Sequence, residues 1–264
     1  MYCEGDRQLI DSRAVIDPDA ELEEGVSVGP FSVIGAGVSI GAGTVVGPHV
    51  VINGPTRIGK ENRIYQFASI GEDPQDKKYA GEPTILEIGD RNVVREFATL
   101  HRGTVQDQGV TRIGNDNLLM AYIHVAHDCV LGDHIILANA ASLGGHVQVG
   151  DHAILGGFSK VHQFCRIGAH SFSGMGAAIN MDLPPYFMVA GHPAKPHGIN
   201  REGLSRRGFS KEAIQQIKRA YKLIYHSGQR LEEARKEIDG MLAETPELEI
   251  LSEFLAHSGR GILR

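Results

Sequence analysis

Tryptophan is absent from this chain of 264 residues, and aromatic residues make up only 6% of it. A core built on large rings is therefore excluded, and the buried positions must be mostly aliphatic. Cysteine is scarce as well. Cys3, Cys129 and Cys165 form no CxxC pair, which leaves neither a thiolate metal motif nor a disulfide framework. No apolar run is long enough to span a bilayer, so stable membrane insertion is not expected. The opening MYCEGDRQLID is acidic and lacks the apolar stretch of a signal peptide, and a reduced, cytoplasmic protein is the expectation. Positive charge is also short: the net charge is −6, which argues against a nucleic-acid partner.

Glycine, by contrast, is abundant, with 33 residues. In an ordinary globular domain that much glycine would cost backbone entropy. Here it follows a rhythm. Val125-Ala126, Leu131-Gly132, Leu137-Ala138, Leu143-Gly144, Val149-Gly150 and Leu155-Gly156 recur every six residues, as an aliphatic followed by a small residue. The same frame starts at Ile16 and runs through Val28-Gly29, Ile40-Gly41, Ile58-Gly59 and Ile70-Gly71. A fixed short period marks a parallel β-helix of the left-handed, hexapeptide type, in which no unit buries its apolar face alone. Three units close a coil of about eighteen residues, stacked about 4.8 Å from the next. The expectation is one inward aliphatic per unit, with the small residue after it letting the chain turn. Cys129 and Cys165 would then sit two coils apart, too far to be bridged.

The rhythm is interrupted twice. Residues 72–87 contain EDPQDKKYAGEP, a polar stretch with two prolines that reads as a loop. Residues 101–112 contain a second insertion, since the step from Leu100 to Ile113 is not a multiple of six. Loops that interrupt a rigid scaffold are common places for function. The repeat is expected to degrade after Ile167-Gly168, with Pro184-Pro185 marking the exit. The solenoid is expected over 1–196 and a small α-helical domain over 197–264. In the latter, Ser210 reads as an N-cap, with Phe209 and Ile214 as a staple. Ile217, Tyr221 and Ile224 mark an apolar face that Gly228 ends. A second helix carries Leu231, Ala234, Ile238 and Met241, and a third opens at Thr245-Pro246. A three-sided prism of this kind is expected to form a homotrimer.

His127-Asp128 is the sharpest chemical signal. An imidazole titrates near neutrality and is a natural general base, and a neighbouring carboxylate can fix its tautomer. His124, His146 and His162 fall within about two coils of it, with Gly145 and Gln163 eighteen and thirty-six residues further on and so on the same face. A plain structural role, hydrogen bonding between coils, is the alternative for any one of these histidines. A zinc site is another, although His-x2-His across a corner splays its ligands. Asp76, Lys77 and Lys78 on the first loop, and Arg206-Arg207 further on, are charge clusters that either bind an anion or decorate the surface.

Several longer stretches carry a resemblance. IYQFASIGE (64–72), DKKYAGEPT (76–84), LHRGTVQ (100–106), DNLLM (116–120), HVAHDC (124–129), VHQFCRIGAH (161–170) and RRGFS (206–210) closely resemble the acyl-carrier-protein–UDP-N-acetylglucosamine O-acyltransferases that open lipid A synthesis in Gram-negative bacteria. The resemblance covers nearly the whole chain. It implies transfer of an R-3-hydroxyacyl group from acyl carrier protein to the 3-hydroxyl of UDP-N-acetylglucosamine, with the donor on the carrier's phosphopantetheine and with no other cofactor and no metal. It makes His127 the general base, Asp128 its orienting carboxylate, and the Gly145 N–H an oxyanion donor. Asp76, Lys78, His124, His146, His162 and Gln163 match positions that hold the sugar and phosphates. Asn200, Glu202, Arg206 and Arg207 match the nucleotide-binding segment. Gly157 matches a pantetheine contact. Met175 stands where the family often has a small residue in the acyl groove, which implies a donor of about ten to twelve carbons. Docking of the acidic carrier would fall to basic residues such as Lys160, Arg166 and the arginines near 206. A related hexapeptide N-acyltransferase carries an additional N-terminal domain, for which a repeat starting at Ile16 leaves no room; a solenoid carbonic anhydrase would need zinc.

Overall fold

The computed structural model describes residues 9–258 and 261–264. Cys3 and most of the opening segment lie outside the described residues. The chain divides into two compact units, 1–134 and 135–264.

In the first unit, short strands stack in parallel on three faces. One face runs Val15–Ile16, Val33–Ile34, Val51–Ile52, Ser69–Glu72, Thr99–His101 and His124–Val125. Val33 pairs with Val51 and Ile34 with Ile52, so each coil advances eighteen residues, as three hexads require. Two steps are longer. Ile70 pairs with Leu100 and Leu100 with Val125, which places an insertion between Glu72 and Ile85 and another between His101 and Val110. The second unit repeats the three-faced pattern, with Leu137 opposite Leu155, Leu143 opposite Val161 and Val149 opposite Ile167. This is a left-handed parallel β-helix, followed by a small helical region.

Two expectations about the coil are corrected. The turn is not made at the small residue after the aliphatic. It is made two positions later, by a residue in the left-handed region: Phe31, His49, Phe67, Asp128 and His146 all have φ between 55° and 65°. The small residue serves stacking instead, since a Cβ at Gly29 would stand 2.7 Å from the Pro48 nitrogen of the next coil. There is also more than one inward position per unit. The residue two before the aliphatic is buried too, as with Val26, Val50 and Ile123. Where that residue is polar, it bonds coil to coil. Asn62, Asn92 and Asn117 form a buried ladder in which the Asn92 N–H donates to Asn62 Oδ1 at 2.8 Å and its Nδ2 to the Gly114 carbonyl at 2.9 Å. Buried amides satisfied in this way lock the register of successive coils.

The coil also continues past Gly168. Ser173 occupies an aliphatic position there, and its hydroxyl lies 2.8 Å from that of Ser159. Beyond Pro184-Pro185, Phe187–Ala190 still pairs in parallel with Phe172–Ser173 and then antiparallel with Lys195–Ile199.

Four helices follow among the described residues: α1 (Arg201–Arg206), α2 (Lys211–Tyr225), α3 (Leu231–Asp239) and α4 (Glu249–Ala256). Ser210 Oγ accepts from the Ala213 N–H and caps α2, whose Ile217, Tyr221 and Ile224 are buried. Tyr221 packs edge-on against Phe187 at 5.1 Å. The short α1 was not read from the sequence, so Arg206 and Arg207 do not precede the first helix: they are its last residue and its C-cap. Met241 lies beyond the end of α3. The turn at Pro246–Leu248 is a 3₁₀ helix leading into α4.

Candidate active site

In the first unit, His127 precedes the corner residue Asp128. Asp128 adopts φ 60°, a conformation that aspartate tolerates better than most residues. Its carboxylate is buried, and its Oδ2 lies 2.8 Å from His127 Nδ1. A carboxylate can only accept, so Nδ1 carries a proton, and in the neutral ring the lone pair is on Nε2. Thr104 holds the far side of the same group: its N–H donates to Oδ1 at 2.8 Å and its hydroxyl to Oδ2 at 2.6 Å. The Asp128 N–H in turn donates to Thr111 Oγ1 at 2.8 Å. Both carboxylate oxygens serve protein donors, which fixes the plane of the group and suits it to orienting the imidazole.

His124 lies in His124–Val125, paired across the coil with Thr99–His101. Its Nδ1 is 2.7 Å from Thr99 Oγ1, and its ring meets His101 edge-on at 5.1 Å. The His124 pKa is pushed down to about 4, mostly by burial and further by the His101 and His127 imidazoles. That of His101 is lowered by burial too, against the opposing hydrogen bond to the Asp73 carbonyl. Both are therefore neutral at neutral pH, and His124 is fitted to hydrogen bonding rather than to proton abstraction.

This has a consequence for stability. An unfolded chain binds a proton at each such histidine below about pH 6.5, whereas folded His124 binds one only near 4. The group thus favours the folded state above pH 6.5, and that advantage is lost as pH falls through the window. The unfolding midpoint is expected to drop between pH 6.5 and 4, and to drop less steeply in His124→Gln. Thermal melts across that range with equal slopes in the two proteins would contradict it.

Asp76 and Lys78 sit on the first insertion, where Asp76 Oδ1 accepts the Lys78 N–H at 3.0 Å and shapes the turn. The insertion is fastened by residues for which no role was read from the sequence. His101 Nδ1 lies 2.7 Å from the Asp73 carbonyl oxygen. Arg102, only 6% exposed, donates to the carbonyls of Gly54 and Gly71 at 2.7 and 2.9 Å, to the Tyr79 hydroxyl at 2.9 Å, and to the Asp73 carboxylate. The signal available in the sequence was the break of frame between Leu100 and Ile113, together with the LHRGT stretch that lies across it.

The remaining candidates belong to the second unit. His146 stacks on Phe164 at 4.3 Å. Gly145 is buried, and its N–H has no acceptor among the described residues. His162 and Gln163 are exposed, and His162 Nδ1 is 3.1 Å from the Gln163 carbonyl. Gly157 is half-buried. Met175 is 79% exposed, so it does not fill a gap in the core.

Asn200 is a helix cap. Its Oδ1 accepts from the Gly203 N–H at 3.1 Å and its Nδ2 donates to the His170 carbonyl at 2.9 Å. Glu202 and Arg206 form an exposed pair at 3.0 Å, of the kind that contributes little to stability. Arg207 is partly buried and donates to the His152 carbonyl at 3.0 Å, and burial lowers its pKa. Arg166 is less available for docking than the sequence suggested. It lies over the Phe254 ring at 4.4 Å and donates to the His257 carbonyl at 3.1 Å.

Stacked hexad coils with an oriented imidazole at a corner define a hexapeptide-repeat transferase. The family model described as bacterial transferase hexapeptide (six repeats) matches residues 19–54, and that described as UDP N-acetylglucosamine O-acyltransferase, domain 2, matches 182–263. The acyl-[acyl-carrier-protein]–UDP-N-acetylglucosamine O-acyltransferase of Alkalilimnicola ehrlichii is 63% identical over 255 residues, covering 97% of this chain and 99% of that one. The enzyme of the same name from Pseudomonas entomophila is 58% identical with the same coverage. The solved structure of LpxA from Acinetobacter baumannii superposes with a TM-score of 0.95 at 50% identity, covering 97% of this chain and all of that one. The chain belongs to the family of acyl-[acyl-carrier-protein]–UDP-N-acetylglucosamine O-acyltransferases.

Proposed function

We propose that the protein transfers an R-3-hydroxyacyl group from acyl carrier protein to the 3-hydroxyl of UDP-N-acetylglucosamine, the first step of lipid A synthesis, with His127 as the general base. The observation that carries this mechanism is the Thr104–Asp128–His127 chain of hydrogen bonds, which in the neutral ring places the proton on Nδ1 and the lone pair on Nε2 of His127. In the reaction, Nε2 takes the proton of the sugar hydroxyl as its oxygen attacks the thioester carbonyl. The buried carboxylate of Asp128 stabilises the imidazolium that forms. The Gly145 N–H donates to the tetrahedral oxyanion. As the intermediate collapses, the C–S bond breaks and the imidazolium gives its proton to the departing phosphopantetheine thiolate, which leaves as the thiol.

Asp76, Lys78, His124, His146, His162 and Gln163 hold the sugar and phosphates in this reading, and Glu202, Arg206 and Arg207 the nucleotide. Asn200 contributes by capping the helix that carries them. Gly157 and Met175 border the pantetheine and acyl chain. Cys129 and Cys165 are buried and in no disulfide, in keeping with a reducing, cytoplasmic setting, and no helix among the described residues is long and apolar enough to cross a membrane. Incubation with 3-hydroxyacyl carrier protein and UDP-N-acetylglucosamine, followed by mass spectrometry, tests the reading. A 3-O-acylated sugar nucleotide is expected, and its absence would refute the assignment.

The active assembly is a homotrimer in this reading. Its support is a ladder of five stacked rings on one corner of the first unit: Phe31, His49, Phe67, Phe97 and Tyr122, with successive centroids 4.7 to 5.4 Å apart. Phe31, Phe67, Phe97 and Tyr122 are 42–61% exposed, and an exposed apolar strip of this kind is a common site of association. Light scattering should give about three times the chain mass of 28.6 kDa. A monomer at micromolar concentration would rule the trimer out.

A further inference from the structure

Two insertions leave the first unit's coils, and one short stretch ties both of them to the chemistry. Arg102-Gly103-Thr104 opens the second insertion. Gly103 permits its path, because a Cβ there would lie 2.2 Å from the Val110 nitrogen. On one side of it, Thr104 reaches the carboxylate behind the base. On the other, Arg102 reaches the loop that bears Asp76 and Lys78.

We propose that Arg102 and Thr104 are positioning residues of the transfer reaction, Arg102 clamping the sugar-binding loop against the coil and Thr104 fixing the Asp128 carboxylate behind His127. The proposal rests on the functional reading above.

The geometry of Arg102 is that of a clamp. A buried guanidinium needs acceptors in several directions, and its planar fork supplies donors in fixed ones. Nη1 bonds the Gly54 and Gly71 carbonyls, both on the coil side. Nη2 bonds the Tyr79 hydroxyl and the Asp73 carboxylate, both on the loop. The Tyr79 hydroxyl itself donates to the Glu82 carbonyl at 2.9 Å, and the Tyr79 N–H to the Asp76 carbonyl at 3.1 Å. One side chain thus spans coil and loop and reaches Asp76 through a single intermediary. Among the described residues, the other hydrogen bonds that tie the loop to the coil are the His101–Asp73 bond and those of Glu72 at its base. Lysine cannot reproduce the fork, because it offers one point charge.

Thr104 does different work. Its N–H and hydroxyl take one carboxylate oxygen each, so the carboxyl plane is held from behind while Oδ2 faces the imidazole. Valine preserves the shape and the N–H but removes the hydroxyl. Serine restores it.

The two roles separate kinetically. Arg102→Lys is expected to raise KM for UDP-N-acetylglucosamine about tenfold or more with kcat within about threefold of wild type. Thr104→Val is expected to lower kcat about tenfold or more with KM little changed, and Thr104→Ser to recover most of that loss. The clamp also has a readout independent of activity. Lys77 and Lys78 are exposed on the loop, and trypsin cleaves after lysine. Nicking there should be at least tenfold faster in Arg102→Lys than in wild type, at a temperature where circular dichroism shows both folded. Thr104→Val should be nicked at the wild-type rate.

Unchanged nicking in Arg102→Lys would overturn the clamp, whether or not the enzyme is active. A Thr104→Ser variant as impaired as Thr104→Val would overturn the hydroxyl's part. Wild-type protein that fails to acylate UDP-N-acetylglucosamine would refute the functional reading, while the nicking rates would still decide the clamp.

Discussion

Replacing His127 with alanine is expected to lower kcat by about 10³-fold, within the range typical for loss of a general base. The fold should be retained, because the backbone at this corner is held by contacts that alanine keeps: the Asp128 N–H still donates to Thr111 Oγ1, and the Thr104 N–H and hydroxyl still occupy the Asp128 carboxylate. KM for the sugar nucleotide should change little, since the ring is required chiefly in the transition state. His124 is poorly suited to take over. Its pKa of about 4 makes it a weak base, although it is close enough to His127 to feel its charge. Steady-state kinetics with an unfolding control check this. Activity within tenfold of wild type would mean that the hydroxyl proton leaves by another route.

The second large effect concerns the acyl chain. Met175→Gly is expected to shift preference from a donor of about ten to twelve carbons towards one of fourteen. The side chain is 79% exposed, so its removal opens no core cavity, and in the proposed reading it would lengthen the acyl groove. Four additional methylenes, at about 0.8 kcal/mol each, amount to about 3 kcal/mol when fully accommodated. That corresponds to about a hundredfold in the ratio of kcat/KM for the two donors. Competition between ten- and fourteen-carbon 3-hydroxyacyl carrier proteins gives the ratio directly. The same preference in wild type and variant would show that Met175 does not limit chain length.

Much of the architecture was legible in the residues because a hexad period is a global constraint. Each unit must present its aliphatic inward for any of them to be buried, so Ile34, Ile52 and Ile70 announce one another and the eighteen-residue register follows. The His127-Asp128 pair was legible for a local reason: adjacent residues at a corner can meet without knowledge of the rest of the chain. The turn was misplaced because small residues suggest turning, whereas Gly29 is small to admit Pro48 and the left-handed residue is Phe31. Helix α1 escaped notice because its six residues carry a single buried side chain, Leu204, too little for a period to emerge.

Sequence alone therefore determined the stacking of coils, the two places where the period breaks, the capped helix from Lys211 and the imidazole–carboxylate pair. Tertiary structure decided which side chains serve that pair. Thr104 and Asp128 are twenty-four residues apart, and Arg102 and Gly54 forty-eight. The insertions stand outside the repeat, so no rhythm relates their residues to the coil. Such partners are selected by closure of the chain in space, where a buried charge must find acceptors wherever the backbone happens to bring them.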